Sequence, residues 1–275
     1  MLLASIFFLT ALLPCIIGAT SGIGGGIIMK PVLDLIGSSA AAANIRGGSL
    51  GPREINLLSG CTVLAMSAVS LLRGRKNGIR IESGRGIALA AGAVAGGIAG
   101  KAIFSLAVRT ADRNLVGSIQ SAMLILMTCC VILYIRKKNT IAKKNLRHLP
   151  ACAALGLGLG LVSAFIGIGG GPINIMAISY FLSMDTKTSA LHSLFVIFLS
   201  QLASFAITII EGIPPAPMIA LATMIPGGVT GAIIGSWVVK LLRNEQIDRL
   251  FNTLMLAVIA LSFYNLANFI KAGLN

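Results

Sequence analysis

Eight long apolar stretches constrain this chain more than any other feature of its sequence. They occupy residues 2–18, 55–72, 86–108, 115–135, 149–167, 191–210, 218–242 and 247–270. Each has about the 20 residues that an α-helix needs to cross the hydrocarbon core of a bilayer. Only 11% of the residues are charged, against roughly 25% in soluble domains. Because a soluble core could not hide so much apolar surface, the sequence predicts an all-α, polytopic transmembrane helical bundle.

Two further apolar pieces, 23–36 and 172–182, are too short to be assigned as crossings. Each adjoins a run of glycines, which breaks a helix and exposes backbone amides. In lipid such a break is tolerated only against protein or a water-filled cavity. We expect both pieces to be half-helices or re-entrant segments at mid-membrane.

The net charge of +14 is concentrated in two short loops. Loop 73–85 carries +4 and loop 136–148 carries +6. The positive-inside rule places short basic loops between spans in the cytoplasm, so we expect no nucleic-acid partner. The five cysteines lie in apolar stretches without a C-x-x-C spacing, which predicts small hydrophobic residues and no metal or other cofactor.

An internal repeat divides the chain into two halves, 1–140 and 145–275, joined by the basic loop 136–148. The motif Gly-Ile-Gly-Gly-Gly at 22–26 recurs at 167–171, which is 145 positions later. Ser49-Leu50 then matches Ser193-Leu194 at an offset of 144, and glycines 92, 96 and 100 match glycines 227, 231 and 235 at an offset of 135. Matches that keep their order favour duplication of one transmembrane repeat.

Loop charge favours inversion of the second half relative to the first. Loop 73–85 is basic, whereas the corresponding segment 211–217 has Glu211 and no basic residue. Inversion requires an odd number of crossings in each half. Either the glycine hairpins together make a crossing or the count of spans is wrong, so eight to ten crossings remain open.

The paired glycine hairpins are the candidate substrate site. A short helix after each glycine run would point its N-terminal amides and positive dipole end at a small anion between the halves. The predicted substrate-binding residues are Gly24, Gly25, Gly26, Asn44, Arg46, Ser49, Gly169, Gly170, Gly171, Asn174 and Ser193. The alternatives are helix packing for the glycines, bonds to their own helices for the hydroxyls, and snorkelling to an interface for Lys30 and Arg46. For glycines 92, 96, 100, 227, 231 and 235 we favour packing.

His192 begins an apolar span and is a candidate for proton coupling, because imidazole titrates near neutral pH. The alternative is a hydrogen-bonded histidine at a helix end. The eight acids lie mostly at loops or span ends, and no G-x-x-x-x-G-K-[ST] motif is present. The sequence thus offers no carboxylate pair for catalysis and no ATP-binding loop, and it predicts no enzyme.

These motifs resemble those of the TauE/SafE sulfite exporter family of bacterial membrane permeases. The resemblance rests on the hairpin at 22–26 with Pro31 after it, the hairpin at 167–171 with Pro172 next, and the Ser-Leu pairs that follow. It implies a secondary transporter of the bacterial cytoplasmic membrane that moves sulfite, a sulfonate or a related sulfur oxyanion without ATP.

The sequence departs from the family pattern at Lys30 and at Ile45-Arg46-Gly47-Gly48, so membership is better supported than any particular ligand. Two other functions remain open. A passive anion channel would conduct independently of ion gradients, and a membrane-embedded enzyme or sulfur-relay component would need reactive thiols. Oligomeric state and transport direction are not predicted.

Overall fold

The computed structural model describes residues 2–38, 50–76, 81–137, 144–168 and 170–274. In these residues the chain folds into ten α-helices and no β-strand. The helices are α1 Leu2–Ser21, α2 Gly26–Ser38, α3 Pro52–Lys76, α4 Arg85–Thr110, α5 Arg113–Lys137, α6 Leu149–Ile166, α7 Gly171–Phe181, α8 Thr186–Glu211, α9 Met218–Leu241 and α10 Asn244–Leu274.

Eight of these helices are long and apolar enough to cross a membrane. They coincide with the eight predicted spans, so the prediction of a polytopic helical bundle is confirmed. The other two, α2 with 13 residues and α7 with 11, coincide with the two short apolar pieces. At 1.5 Å per residue they measure about 20 Å and about 16 Å, which is too short for a hydrocarbon core of about 30 Å.

Glycines bring two pairs of helices into close contact. A Cβ atom at these positions would overlap the backbone of the partner helix, as expected where small residues let membrane helices approach. The contacts are Gly92 with Ala153, Gly96 with Leu157 and Gly100 with Leu161 between α4 and α6, and Gly227 with Phe8, Gly231 with Leu12 and Gly235 with Ile16 between α9 and α1. The prediction that these six glycines serve packing is confirmed.

The same contacts fix the direction of the helices. Residue numbers rise together along α4 and α6, and along α1 and α9, so each pair is parallel. At the centre α3 and α8 are antiparallel, since Gly60 lies near Gln201 and Gly74 lies near Leu191. A connection of residues 212–217 reverses the chain between α8 and α9. Therefore α1, α3 and α9 run one way through the bundle, and α4, α6 and α8 run the other way.

The central pair α3 and α8 carries a large share of the buried polar side chains. Large apolar side chains such as Leu106, Leu126, Ile210 and Trp237 are exposed on the outer surface, where lipid would cover them. Buried hydroxyls, amides and one imidazole lie instead on the inner faces of the two central helices. They are Asn56, Ser59, Thr62, Ser67 and Ser70 on α3, and Ser189, His192, Ser193, Ser200, Gln201, Ser204 and Thr208 on α8.

Candidate functional site

The two glycine hairpins contact each other inside the bundle. Gly26, the first residue of α2, faces the carbonyl of Ile168, and Gly171, the first residue of α7, lies 3.4 Å from the carbonyl of Ile23, measured from the position of an ideal Cβ. Helix α6 ends at Gly167, whose φ of 76° is a left-handed conformation that glycine adopts at low energy. The hairpins therefore bring the starts of α2 and α7 together.

The glycines of the first hairpin are packed against protein atoms. An ideal Cβ on Gly25 would lie 2.8 Å from the sulfur of Cys15, and one on Gly24 would lie 3.2 Å from the side chain of Ile197. Their backbones are buried. Four of the predicted substrate-binding residues lie outside the described residues: Asn44, Arg46, Ser49 and Gly169.

The second hairpin carries polar side chains that the first one lacks. Asn174, in the first turn of α7, and Ser163 of α6 both lie against Gly170. Asn174 is fully buried, and neither atom of its amide has a hydrogen-bond partner in the described part of the chain. The residues 145 positions earlier are Met29 and Gly18. Ser193 of α8 is likewise buried with an unpaired hydroxyl, so both polar candidates have hydrogen-bonding capacity to spare.

A small polar cavity lies beside the second hairpin, among α3, α4, α6 and α8. We call it the Lys101 cavity. Its lining includes Gly167, the first glycine of the second motif. The remaining lining residues are Asn56, Leu57, Gly60, Cys61, Lys101, Ala164, Gln201, Ser204, Phe205 and Thr208.

Lys101 is the charged residue of this cavity, and the sequence analysis missed it. Its side chain is buried within α4, and its ammonium lies 5.3 Å from the centroid of the Phe104 ring. It forms no salt bridge with a carboxylate of the described residues. Its position inside the predicted span 86–108 would have been enough to identify it as a candidate, because ionisable residues within spans usually mark ion or substrate pathways.

Lys30, for which snorkelling to an interface was one of the sequence-based expectations, has a counter-ion. Its ammonium lies 3.2 Å from a carboxylate oxygen of Asp34, one turn further along α2. Both side chains are buried, so Lys30 does not reach out to an interface. Its charge is compensated within the half-helix.

A second small cavity lies among α1, α3, α8 and α9. We call it the Lys187 cavity. It reaches the end of α3 and the start of α8, whereas the Lys101 cavity reaches the start of α3 and the end of α8. The two cavities therefore occupy opposite ends of the central helix pair. The lining residues are Ala19, Thr20, Ser70, Gly74, Lys187, Ala190, Leu191, Leu194, Ser236 and Val239.

His192 joins α8 to the segment before α4. Its Nε2 accepts a hydrogen bond of 3.0 Å from the backbone amide of Glu82, and its Nδ1 lies 2.9 Å from the carbonyl oxygen of Thr188. An acceptor Nε2 and a donor Nδ1 define a neutral imidazole. Glu82 is in turn bonded by Arg85, and this hydrogen bond lowers the pKa of the Glu82 carboxyl.

Comparison with known proteins agrees with the resemblance found in the sequence. Residues 7–262 match the family model described as Sulfite exporter TauE/SafE, which covers nearly the whole chain. Searches among curated proteins and solved structures found no match to this chain. With eight candidate membrane spans and this match, the chain belongs to the TauE/SafE sulfite exporter family of multi-pass membrane transporters.

Proposed function

We propose that this chain is a secondary permease that moves a small sulfur-containing anion, such as sulfite or a sulfonate, across the bacterial cytoplasmic membrane. One observation carries the proposal. The two hairpins meet beside two cavities, one polar and one largely apolar, that occupy opposite ends of α3 and α8. In an alternating-access cycle the anion would enter one cavity, pass the hairpins and leave through the other.

The halves 1–140 and 145–275 act in this proposal as inverted repeats. The opposite directions of α1 and α6 support it, as do the glycine contacts. Three residues of α1 contact the glycines of α9: Phe8, Leu12 and Ile16. They lie 145 positions before the three residues of α6 that contact the matching glycines of α4: Ala153, Leu157 and Leu161. Because α1 and α3 run in the same direction, the end of α1 and the start of α3 lie at opposite ends of the bundle, which gives the first half an odd number of passages.

Basic residues support a cytoplasmic location for one end of the bundle. Arg73, Arg75 and Lys76 end α3, and Arg136 and Lys137 end α5. Helices α3 and α5 run in the same direction, so these residues lie at one end of the bundle. By the positive-inside rule that end, with loops 73–85 and 136–148, faces the cytoplasm. The Lys187 cavity would open there and the Lys101 cavity on the opposite side.

Asn174 and Ser193 would contact the anion beside the hairpins. Their free amide and hydroxyl atoms can replace part of the hydration shell of an oxyanion, and the amino ends of α2 and α7 add positive potential. Bulky residues at Gly25 or Gly170 would test this poorly, because both positions are tightly packed and such variants would lose transport for structural reasons.

The decisive experiment is uptake of labelled sulfite, thiosulfate, methanesulfonate and sulfate into proteoliposomes. We expect saturable uptake of at least one sulfur anion, reduced about tenfold or more in Asn174→Leu and in Ser193→Ala. Ser200→Ala is the matched control, because the Ser200 hydroxyl already bonds to its own helix at Ile197. Wild-type vesicles that take up none of these anions would refute the permease.

The same assay separates the two other functions. A channel would give flux that does not saturate and does not respond to an imposed pH gradient. A sulfur-relay component would lose activity when Cys15, Cys61, Cys129, Cys130 and Cys152 are all replaced, whereas the permease should retain uptake.

Proton coupling through His192 is the second part of the proposal. Protonation of Nε2 would break its bond to the Glu82 amide and release the segment before α4, so proton binding and a conformational change would be linked. Glu82, Arg85 and Asp185 are the charged groups close enough to influence the ring. We expect His192→Gln, which can still accept from the Glu82 amide, to transport without stimulation by a pH gradient. Unchanged stimulation would refute this role.

A further inference from the structure

The Lys101 ammonium is the group in its cavity that most needs an anion. Lys101 is only 8% exposed, in the middle of a membrane-spanning helix. A buried charge without a partner is costly in such a place and is usually functional. Contact with the Phe104 ring offsets only part of the cost of burying the ion.

Two amides in the same cavity each have one polar atom without a hydrogen-bond partner among the described residues. Asn56 is 8% exposed and Gln201 is 5% exposed. Within the described residues, the Asn56 oxygen Oδ1 and the Gln201 nitrogen Nε2 have no hydrogen-bond partner. Each such atom has lost its hydrogen bonds to water without a replacement, which is unfavourable in the interior. Because an amide carries a donor and an acceptor and can turn over, both residues can present a donor to a bound oxygen.

The Glu211 carboxylate, which influences Lys101 electrostatically, already accepts a hydrogen bond from another side chain. Ser105, one turn after Lys101, donates a hydrogen bond of 2.6 Å to the exposed carboxylate of Glu211 at the end of α8. Glu211 and Arg53 both lie within electrostatic range of Lys101. The two charges act in opposite directions and neither residue lines the cavity, so Lys101 is the charged side chain that faces it.

We propose that the Lys101 cavity binds a small oxyanion, with its charge on Lys101 and its oxygens on the amides of Asn56 and Gln201. The ligand class is a compact group with several oxygens, such as sulfite or the sulfonate of a small organic acid. A role for this site in transport rests on the permease proposal, but binding itself does not.

Thermal melting of the purified protein tests binding directly. Sulfite, methanesulfonate, sulfate and phosphate are added separately to the wild type, Lys101→Met and Lys240→Met. We expect one or more anions to raise the melting temperature of the wild type and of Lys240→Met, whose lysine is exposed at the end of α9. In Lys101→Met the apparent affinity should fall about tenfold or more, because truncation removes a buried charge partner.

The melting temperature of Lys101→Met without anion distinguishes an anion-binding lysine from a structural one. Without anion, Lys101→Met should melt at or above the wild-type temperature, because removal of an unpaired buried charge stabilises the fold. A structural lysine would instead leave the variant less stable and its response to anions unchanged. If Lys101→Met does not fold, Gln201→Leu takes its place and should show the same loss of anion-dependent stabilisation.

Cys61, which lines the cavity, reports its potential independently of melting. In a variant that keeps only this cysteine, the negatively charged sulfonatoethyl methanethiosulfonate should react faster than the positively charged trimethylammonium reagent. Methanesulfonate should slow the reaction, and Lys101→Met should abolish the preference. Equal rates in the wild-type background, or no stabilisation by any of the four anions, would overturn the site.

These outcomes separate the site from the permease. Binding that depends on Lys101 in a protein without flux would leave the site standing and refute the permease. Normal uptake and unchanged anion affinity in Lys101→Met would refute the site and leave the permease standing.

Discussion

Two lysines are buried in the bundle, and they differ in how their charges are balanced. Lys30 lies 3.2 Å from Asp34 on the same half-helix, whereas Lys101 has no salt bridge within the described residues. A paired charge in the interior is expensive to separate, while an unpaired one is expensive to keep. The two residues should therefore respond to neutralisation in opposite directions.

Neutralising Asp34 should destabilise the protein strongly. Asp34→Asn leaves the Lys30 ammonium buried without its counter-ion, and such a change costs about 3 to 5 kcal/mol. We expect a clear fall in melting temperature in detergent, measured by circular dichroism. The double variant Lys30→Met with Asp34→Leu should recover much of the loss. A single variant as stable as the wild type would show that the pair contributes little.

At the residue scale, a residue's own chemistry shows which positions are unusual, although anion binding by Asn174 and Ser193 stays a prediction. The sequence marks Asn174 and Ser193 as polar residues at membrane depth, and both are buried with free hydrogen-bonding atoms. It could not show that Asp34 would neutralise Lys30, because pairing depends on side-chain geometry. Lys101 could have been found, since it interrupts an apolar span, but no motif drew attention to it.

At the scale of elements, the contacts of α4 with α6 and of α1 with α9 depend on backbone approach. Gly96 faces the carbonyl of Leu157, and Gly231 lies 2.7 Å from the carbonyl of Leu12, measured from an ideal Cβ. Neighbouring backbone cannot move aside as a flexible side chain can. These glycines therefore hold together the helices that flank the two hairpins.

A methyl group at Gly96 should loosen this packing. Gly96→Ala is expected to cost about 1 to 3 kcal/mol through overpacking, despite the higher helix propensity of alanine. Gly158→Ala on α6 is the matched control, because its Cβ would meet no atom within 4 Å. It should be neutral or stabilising by up to about 1 kcal/mol. Thermal melts of the two variants measure the difference, and equal melting temperatures would contradict the packing argument.

The elements were largely predictable because helix length and hydropathy are properties of the local sequence. All eight spans and both half-helices follow from these quantities. The match of Ser49-Leu50 with Ser193-Leu194 was misleading, because Leu50 precedes α3 whereas Leu194 lies inside α8. A two-residue match cannot fix the register between helices that begin 134 positions apart, at Pro52 and Thr186.

At the scale of the whole molecule, helix direction decides which side each end of the chain faces. Helices α1 and α3 both begin at the end of the bundle opposite the basic residues that end α3. Helix α9 reaches the basic end with Lys240 in its last turn, and α10 returns from there. Within the described residues, these helix directions place the start of α1 and the end of α10 at the same end of the bundle.

Both of these ends should face away from the cytoplasm, because the positive-inside rule assigns the cytoplasm to the opposite end. Alkaline phosphatase joined after α10 should be active in bacterial cells, while green fluorescent protein at the same place should stay dark. A single cysteine at Asn145 should react with impermeant maleimide only after the membrane is opened. A fluorescent fusion after α10 would contradict the arrangement, because the chain would then contain an odd number of crossings or the opposite orientation.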